Sequence, residues 1–383
     1  MPAPLRVVLL IDDLRIGGAQ RVIAQEARAL HPERVVFQVV ALAEHSGPSF
    51  APDLAARSVP VSYAPGRGLL DPRRIANLAQ LLRGWRPDLV HTHLTYANVA
   101  GSIAARLARR RVIASLHNVD VNQHKHAAAK RWIEACTLRW AADRIVVVAE
   151  GARKLAARNY RLPAGRLVTL PNALDPATVR LPQEYDPSAM RRALGVEPGQ
   201  PLISVVARLD PSKGHDILFQ AAIALRSRHA GARYLLIGAG AAESVLRRQA
   251  DRLGLSGQVA FLGVRHDVPA ILAASDLFVL PSRNEGLSQA LLEAMALGTP
   301  VVATDVGGTA DVVQSGRTGW LIPPGDPTAL VCAIDAALSH PLRARAYSEA
   351  ARRLVSREFN LGLHAARLET LYRTVGGPAS QPR

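Results

Sequence analysis

The sequence has little cysteine, few aromatic residues and no long apolar run. Its two cysteines, Cys136 and Cys332, lie far apart in helix-like segments, which predicts reduced, buried thiols of a cytosolic protein. Aromatic residues make up 4% of the chain, and no nucleic-acid-binding motif occurs. No apolar run approaches the roughly 18 residues of a membrane span. The apolar segment 5–11 is followed by two aspartates and has no cleavage pattern, so a first strand is predicted rather than a signal peptide.

Lysine is also scarce, with four lysines against 43 arginines among 383 residues. The net charge of +16 at pH 7 is shared unevenly. Residues 1–175 hold 25 basic against 13 acidic residues, a net +12, and the remainder holds 22 against 18, a net +4. Genome composition can explain the preference for arginine but not this asymmetry. A basic amino-terminal half predicts an anionic partner, namely a membrane surface, a lipid diphosphate or nucleic acid. Because aromatic residues are few, we favour a membrane surface over nucleic acid.

Short apolar runs alternate with helix-like stretches in two successive series. This alternation predicts an α/β fold with two doubly wound, Rossmann-like parallel sheets. Prolines punctuate the stretch between the two series. We interpret it as a linker at 174–199 that joins an amino-terminal domain at 1–173 to a carboxyl-terminal domain at 200–360. A helix at about 361–375 and a flexible tail at 376–383 would complete the chain.

The predicted strands are short and rich in β-branched residues. In the first series they are Val7–Ile11, Val35–Ala41, Leu89–His91, Val112–Leu116 and Arg144–Val148. In the second they are Leu202–Val206, Tyr234–Ile237, Val259–Leu262, Leu277–Leu280, Pro300–Thr304 and Gly319–Ile322.

Two glutamates eight residues apart bracket the start of a predicted helix. Gly286 allows a turn, and Gln289–Leu297 has the composition of a stable helix, so Glu285 lies at its mouth and Glu293 within it. The amides near Leu287 and Ser288 would favour an anion between the two carboxylates. Such a site suits a nucleotide-sugar, whose diphosphate separates a ribose diol from a sugar. A surface helix with an acid placed for the helix dipole is the alternative.

A cationic loop follows the predicted strand Leu202–Val206. Arg208 and Lys213 lie in this loop, at the carboxyl end of the strand, where open α/β sheets bind ligands. Two cations there could neutralise a diphosphate and stabilise it as a leaving group.

The chain resembles the family 4 retaining glycosyltransferases, also called glycosyl transferases group 1, which have the GT-B fold. The motifs that carry the resemblance occur in the expected order over nearly the whole chain. They are Gly17-Gly18-Ala19-Gln20-Arg21, Pro171-Asn172, the Arg208/Lys213 loop, the pair Glu285 and Glu293, and Gly307-Gly308. The resemblance implies two Rossmann-like domains that face a central cleft, the first for the acceptor and the second for the donor, with the last helix crossing back onto the first.

The resemblance also implies a reaction. A hexosyl or N-acetylhexosaminyl unit would pass from a nucleotide-diphosphate sugar, with UDP expected, to a glycan or lipid-linked acceptor in bacterial polysaccharide or cell-envelope synthesis. Arg208 and Lys213 would stabilise the departing diphosphate, Glu285 would bind hexose hydroxyls and Glu293 the ribose. Front-side attack by the acceptor would retain the anomeric configuration without a protein nucleophile.

No Asp-x-Asp pair occurs, although that pair holds the metal ion in metal-dependent glycosyltransferases. We therefore expect no metal and no cofactor other than the nucleotide-sugar co-substrate. The expected location is the cytoplasm, with peripheral association at the inner face of the cytoplasmic membrane.

The roles assigned to candidate site residues of the amino-terminal half depend largely on the resemblance. Gly17 and Gly18 would approach the sugar and phosphates of the donor, although a glycine pair is also a common tight turn. His117, at a strand end, would hydrogen-bond a sugar hydroxyl or polarise the reacting centre. His93 and Asn172 are assigned to the acceptor side.

A zinc site is an alternative for the histidines. His91 and His93 share one face of a strand, and His124 and His126 follow nearby. No ordered ligand spacing connects the four residues, so we do not favour a metal.

Two further loops of the carboxyl-terminal half carry a candidate residue or motif. Arg265 would stack on the nucleotide base, in a loop that the family uses to hold the base, or belong to a solvated charged turn. Gly238-Ala239-Gly240 resembles the opening of a dinucleotide fingerprint, but Glu243 replaces the third glycine, so a NAD enzyme is not expected.

The segment Lys125–Arg144 mixes basic residues with Trp132 and Trp140. This composition suits an interfacial helix at lipid headgroups, and an ordinary amphipathic helix with both tryptophans in the core is the alternative.

Two other functions remain open. One is a nucleotide-sugar 2-epimerase or phosphorolytic enzyme of the same fold, and the other is a basic membrane- or nucleic-acid-binding protein with an inactive core. The intact Arg208, Lys213, Glu285 and Glu293 argue against the second. Gln20 and Ala173 depart from the glutamate and glycine usual in the family, and Gln20 could indicate a different acceptor or sugar.

Overall fold

The computed structural model describes residues 3–117 and 125–377, with side chains from residue 128 onward in the second range. The chain divides into two compact units. Unit 1 comprises Met1–Ala173 and Leu361–Arg383, and unit 2 comprises Leu174–Asn360. None of the described helices combines the length and the apolar character that a membrane span requires.

Unit 1 contains a parallel sheet with helices on both faces. Its strands are β1 (Leu5–Ile11), β2 (Val35–Ala41), β3 (Val61–Tyr63), β4 (Leu89–His93), β5 (Arg111–Leu116), β6 (Arg144–Val147) and β7 (Leu167–Thr169). Their order in the sheet is β3-β2-β1-β4-β5-β6-β7. Its first helices are α1 (Gly18–Ala29), α2 (Ala51–Ala55), α3 (Pro72–Trp85), α4 (Ser102–Leu107), α5 (Lys125–Ala141) and α6 (Glu150–Asn159).

Unit 2 repeats the architecture. Its strands are β8 (Leu202–Val206), β9 (Arg233–Ile237), β10 (Val259–Gly263), β11 (Leu277–Leu280), β12 (Val301–Thr304) and β13 (Trp320–Ile322), in the parallel order β10-β9-β8-β11-β12-β13. Its helices are α7 (Pro187–Ala193), α8 (His215–Leu225), α9 (Glu243–Arg252), α10 (Val268–Ala274), α11 (Gln289–Leu297), α12 (Thr309–Val312), α13 (Pro327–Ser339) and α14 (Pro341–Glu358). The last helix, α15 (Leu361–Gly376), belongs to unit 1.

The central strands are apolar on both faces because helices cover both sides of each sheet. In β1, Val8 and Leu10 join one core cluster, and Val7 and Leu9 join the cluster on the opposite face. The second cluster includes Tyr372 of α15, so the carboxyl-terminal helix closes that face of unit 1. The predicted α/β fold with two doubly wound sheets is confirmed.

Sequence patterns missed the two edge strands of unit 1. β3 and β7 have three residues each, too few to show an alternating pattern. The helix predicted to begin at Ala97 starts instead with one π-helical turn at Ala97–Gly101, before α4. Asp71 caps α3 as predicted, by accepting hydrogen bonds from the amides of Arg73 and Arg74.

Residues 174–199, interpreted above as a linker, belong to unit 2. Val196 is 4% exposed in a core cluster with Leu202 of β8, and α7 packs against α10. Arg191 of α7 donates to Asp276 at 2.9 Å. The prolines that suggested a linker instead include Pro187 in the first turn of α7, a position that favours proline.

The cysteine prediction was also wrong in part. Cys332 is exposed and Cys136 is half-buried, and both are free thiols. Of the predicted tail 376–383, residues 378–383 lie outside the described part of the chain.

Candidate functional site

The carboxylate of Glu285 is held at the carboxyl end of β11 in unit 2. Lys213 Nζ lies 2.8 Å from Glu285 Oε1, and the Ser282 hydroxyl donates to the same oxygen at 2.7 Å. The side chains of Lys213 and Glu285 are only 16% and 9% exposed. Within the described part of the chain, no donor reaches Oε2. One oxygen is therefore fixed, and the other is available to a ligand hydroxyl.

The loop that carries Lys213 follows β8 and ends in a 3-10 turn at Pro211–Lys213. Asp210 caps this turn through the Ser212 amide, and Arg208 forms an ion pair with Asp210 at 2.9 Å. Burial opposes ionisation of Asp210, but the Ser212 hydrogen bonds and the nearby cations outweigh it and lower the pKa of Asp210. The structure thus brings Lys213, but not Arg208, into contact with Glu285. The Arg208 side chain is 72% exposed.

Arg283 and Asp216 were missed by the sequence analysis. Arg283 binds the Asp216 carboxylate through both terminal nitrogens, at 2.7 and 2.6 Å, and its amide donates to the Ser212 carbonyl. These bonds join the Lys213 loop to the Glu285 loop. The only sequence signal was the position of Arg283, two residues before Glu285.

Glycines provide close backbone contacts beside both loops. Gly307 has φ +56°, and a Cβ there would meet the carbonyl oxygen of Glu285. The Gly308 amide donates to the Gly286 carbonyl. A Cβ at Gly240 would likewise meet the Leu209 carbonyl, so the Gly238–Gly240 segment supports the cationic loop instead of forming a dinucleotide fingerprint.

Helix α11 begins directly after the loop that carries Glu285. Ser288 is its N-cap, and the hydroxyl of Ser288 accepts from the Leu291 amide at 3.3 Å. Leu287 is 4% exposed and Glu293 is 4% exposed inside the helix. Glu285 is therefore in the loop before the helix, as predicted.

Arg265 lies in the turn after β10. Its guanidinium binds both carboxylate oxygens of Asp267, at 2.8 and 2.5 Å, and its side chain is 39% exposed. The ion pair fixes the plane of the guanidinium group. This geometry fits a charged turn. It also leaves the planar guanidinium of Arg265 partly open to solvent.

In unit 1, Gly17 is the N-cap of α1 and Gly18 is the first residue of that helix. Gln20 donates to Asp13 at 3.0 Å, and Arg15 binds the other oxygen of Asp13 at 2.7 Å. A glutamate at position 20 would place a second carboxylate beside Asp13. The departure from the family pattern at Gln20 thus has a structural reason.

His91, His93 and His117 form a row of imidazoles, in which His91 and His93 are buried and His117 is half-buried. His93 Nδ1 lies 3.0 Å from His117 Nε2, and the ring centroids of His91 and His93 are 4.1 Å apart. His91 contacts the hydroxyls of Tyr372 and Ser115, each at 2.8 Å. Burial lowers the pKa of His117 to about 4, that of His91 to about 3 and that of His93 well below 6.5. The row is therefore neutral at pH 7.

Potential metal-ligating atoms of Glu26, His91 and His93 all lie within 4.8 Å of one another. Both nitrogens of His91 already contact hydroxyl groups, so a metal ion would have to displace one of them. Glu26 also contacts His364 Nε2 at 3.2 Å, and His364 Nδ1 contacts the Pro171 carbonyl at 2.8 Å. The side chains of His124 and His126 lie outside the described residues.

Asn172, assigned above to the acceptor side, is 6% exposed. The contact of His364 with Pro171 links α15 to this motif.

A pair of acids in unit 1, Glu134 and Asp12, was missed by the sequence analysis. Glu134 of α5 accepts from Asn98 at 2.8 Å and from Thr95 at 3.2 Å, and burial raises its pKa to about 7. Asp12 accepts from the amides of Tyr96 and Ala97, and burial raises its pKa to about 6. Asp12 therefore caps the π-helical turn.

The two parallel α/β units have the GT-B fold. The solved structure of Anabaena HepE in complex with UDP-glucose matches 97% of this chain and 100% of that chain, with a TM-score of 0.86 and 24% identity. WaaG, a glycosyltransferase involved in lipopolysaccharide biosynthesis, matches 95% of this chain and 99% of its own, with a TM-score of 0.76 and 18% identity.

The sequence comparisons give the family. The family Glycosyltransferase Family 4 matches residues 16–178, and Glycosyl transferases group 1 matches residues 187–354. A 2-deoxystreptamine N-acetyl-D-glucosaminyltransferase of Streptomyces fradiae is 33% identical over 70% of this chain and 66% of that protein. A GDP-mannose-dependent phosphatidylinositol monomannoside mannosyltransferase of Mycolicibacterium smegmatis is 31% identical over 71% and 72%. The chain belongs to the family 4 glycosyltransferases, which confirms the resemblance.

Replacing Gly307 with alanine should destabilise unit 2 and weaken ligand binding at Glu285. A left-handed alanine costs about 1–2 kcal/mol, and its Cβ would also push against the Glu285 carbonyl. Urea denaturation should show a loss at least this large. Gly257→Ala is the control, since its Cβ would meet no atom within 4 Å. Equal stability of the two variants would contradict the assigned role of Gly307.

Replacing Glu134 with glutamine should change the pH dependence of stability. The folded pKa of about 7 lies above the ordinary 4.5, so the wild type loses stability as the pH rises through this window. The free energy of unfolding of Glu134→Gln relative to wild type should rise from pH 4.5 to 7 by on the order of 1 kcal/mol per pKa unit, and then level off. Denaturation at several pH values measures this difference.

Glu150→Gln serves as the control for that series. Arg153 donates to the Glu150 carboxylate and lowers its pKa, so the same difference should not rise with pH. A flat profile for Glu134→Gln would show that folding does not raise the pKa of Glu134.

Proposed function

We propose that the protein is a retaining, metal-independent glycosyltransferase. It would move a hexosyl or N-acetylhexosaminyl unit from a UDP-sugar to a hydroxyl group of a glycan or lipid-linked acceptor in bacterial envelope polysaccharide synthesis. The observation that carries the proposal is the contact of Lys213 and Ser282 with one oxygen of the buried Glu285. Complexes of a structural neighbour with UDP and UDP-glucose support the choice of nucleotide.

The donor would bind at the carboxyl ends of β8 and β11. The Ser288 hydroxyl accepts a hydrogen bond from the Leu291 amide. The amides of Gln289 and Ala290, in the first turn, have no acceptor inside α11. These amides and Lys213 would bind the diphosphate, and the exposed Arg208 would turn from Asp210 towards it. The free Oε2 of Glu285 would accept a hydroxyl of the hexose. Glu293 would bind the ribose, and Arg265 would stack on the base.

The transfer itself would need no protein nucleophile. The bond between the anomeric carbon and the phosphate oxygen breaks while the acceptor oxygen bonds to the same face. The acceptor proton passes to the departing phosphate oxygen, and the anomeric configuration is retained. Lys213 and the helix amides stabilise the growing negative charge. In unit 1, Gly17, Gly18 and His117 would contact the donor sugar and its phosphates, and His93 and Asn172 would line the acceptor side.

Substituting Lys213 or Glu285 by glutamine should abolish most of the transfer without unfolding the protein. The loss of one electrostatic contact to the transition state costs roughly 100- to 1,000-fold in rate. Glutamine keeps the side-chain volume at position 285, and at position 213 it is a shorter, uncharged polar side chain. UDP release from UDP-sugars, with a panel of acceptors, measures the rate.

Lys154→Gln and Glu349→Gln are the controls, because both residues are exposed. Unchanged turnover in both site variants would defeat the assignment. Conversion of the donor to an epimer in the absence of acceptor, observed by NMR, would show a 2-epimerase instead.

UDP-sugars should stabilise the protein, and EDTA should not reduce this effect. A ligand at 100 times its dissociation constant adds about 2.7 kcal/mol. A thermal-shift screen of UDP- and GDP-sugars with and without EDTA measures both properties. A larger shift with GDP-sugars would overturn the choice of nucleotide, and loss of the shift in EDTA would overturn metal independence.

A further inference from the structure

Helix α5 of unit 1 has apolar residues on both of its faces, but only one face is packed. Ala135 and Leu138 join the core of unit 1 and are 6% and 0% exposed. Trp132 and Trp140, eight residues apart, are 67% and 62% exposed. The structure therefore contradicts the alternative in which both tryptophans belong to the core.

The two indoles lie on the same side of the helix. At 3.6 residues per turn, positions 132 and 140 differ by about 80° around the axis. Cys136 lies between them and is half-buried. Single exposed apolar residues are ordinary on a protein surface, whereas a row of two tryptophans along one helix forms a patch that is costly to leave in water. We call Trp132, Cys136 and Trp140 the tryptophan face.

Arginines gather around the carboxyl end of the same helix. Arg106 and Arg166 donate to the carbonyls of Ala141 and Arg139, at 2.8 and 2.7 Å. Three more arginines lie at or near this end of the helix, namely Arg139 of α5, Arg111 at the start of β5 and Arg144 at the start of β6. Asp143 is the acid that Arg106 and Arg111 bind, at 3.0 and 2.9 Å. Five arginines against one aspartate leave this end strongly positive.

Indoles next to arginines form the combination that binds at the headgroup level of a bilayer. A second copy of the chain would fit less well, because a two-fold contact places the same patch against itself. Five arginines would then face five arginines, which is unfavourable. The positive charge of the arginines thus favours an anionic partner. The two exposed indoles favour a partner that has an apolar interior.

We propose that the tryptophan face docks unit 1 on an anionic lipid bilayer. Trp132 and Trp140 insert at the level of the headgroups, and the arginines at the carboxyl end of α5 contact the lipid phosphates. The docking surface is separate from the residues assigned to the transfer reaction, so each can fail without the other.

Flotation with lipid vesicles tests the proposal. The full-length protein should bind vesicles of phosphatidylcholine with 30% phosphatidylglycerol, and binding should weaken with added salt and on pure phosphatidylcholine. Trp132→Ala with Trp140→Ala should reduce the affinity about tenfold or more. Leu342→Ala is the matched control, because Leu342 of unit 2 is 85% exposed and lies outside the patch. Donor binding should be unchanged in all variants.

A second measurement does not rely on a loss of binding. The chain has four tryptophans, so Trp85→Phe with Trp320→Phe leaves only Trp132 and Trp140 as indole fluorophores. Vesicles that contain brominated lipids should quench this fluorescence, and bromine near the headgroups should quench more than bromine deep in the chains.

Four outcomes would overturn the proposal. They are no vesicle binding by the wild type, equal binding by the double tryptophan variant, and a dimer that the double variant converts to monomer in ultracentrifugation. The fourth is salt-sensitive binding to single-stranded DNA, on which exposed indoles can also stack, without vesicle binding.

Discussion

The position of the Glu285 carboxylate depends on three loops that leave neighbouring strands of one sheet. Lys213 follows β8, Ser282 follows β11, and Gly307 follows β12, and these strands are adjacent in the order β8-β11-β12. In a parallel sheet the carboxyl ends of adjacent strands lie at the same edge, so residues distant in sequence converge there. A carboxylate this buried is tolerated because an ammonium group and a hydroxyl both bind it.

In unit 1 the clustered polar side chains are neutral imidazoles and not an ion pair. Among the described residues no carboxylate forms a hydrogen bond with its three imidazoles, and burial lowers their pKa values so that they are uncharged at neutral pH. Hydroxyl groups contact His91, one of them from Tyr372 of the carboxyl-terminal helix. Helix α15 therefore does more than cover one face of the sheet. It also completes the polar surroundings of the histidine row, so the end of the chain contributes to the site that the first half begins.

The sequence predicted the central strands well, because strands buried on both faces are continuous apolar runs. It also predicted which loops carry Lys213 and Glu285, because both follow such runs. It could not show that the two side chains form an ion pair, since 72 residues separate them. The ion pair of Arg283 and Asp216 was not predicted either, because these two residues are also far apart in the sequence. Helix α5 was ambiguous because apolar residues on both faces give no periodic signal, and only the packing of Leu138 shows which face is inside.

The presence of lysine at position 213, in a chain with 43 arginines, follows from this geometry. The side chain is 16% exposed and binds one oxygen of a carboxylate whose other oxygen is free. A guanidinium is larger and planar and prefers to bind both oxygens of a carboxylate, as Arg283 does with Asp216. In that arrangement both oxygens of Glu285 would already accept from the guanidinium, which leaves fewer lone pairs for a sugar hydroxyl. An ammonium group has three donors that can rotate, so it can bind Glu285 and a phosphate oxygen together. Under the proposed function, the rare residue is thus the one whose charge can be shared between Glu285 and the diphosphate of the donor.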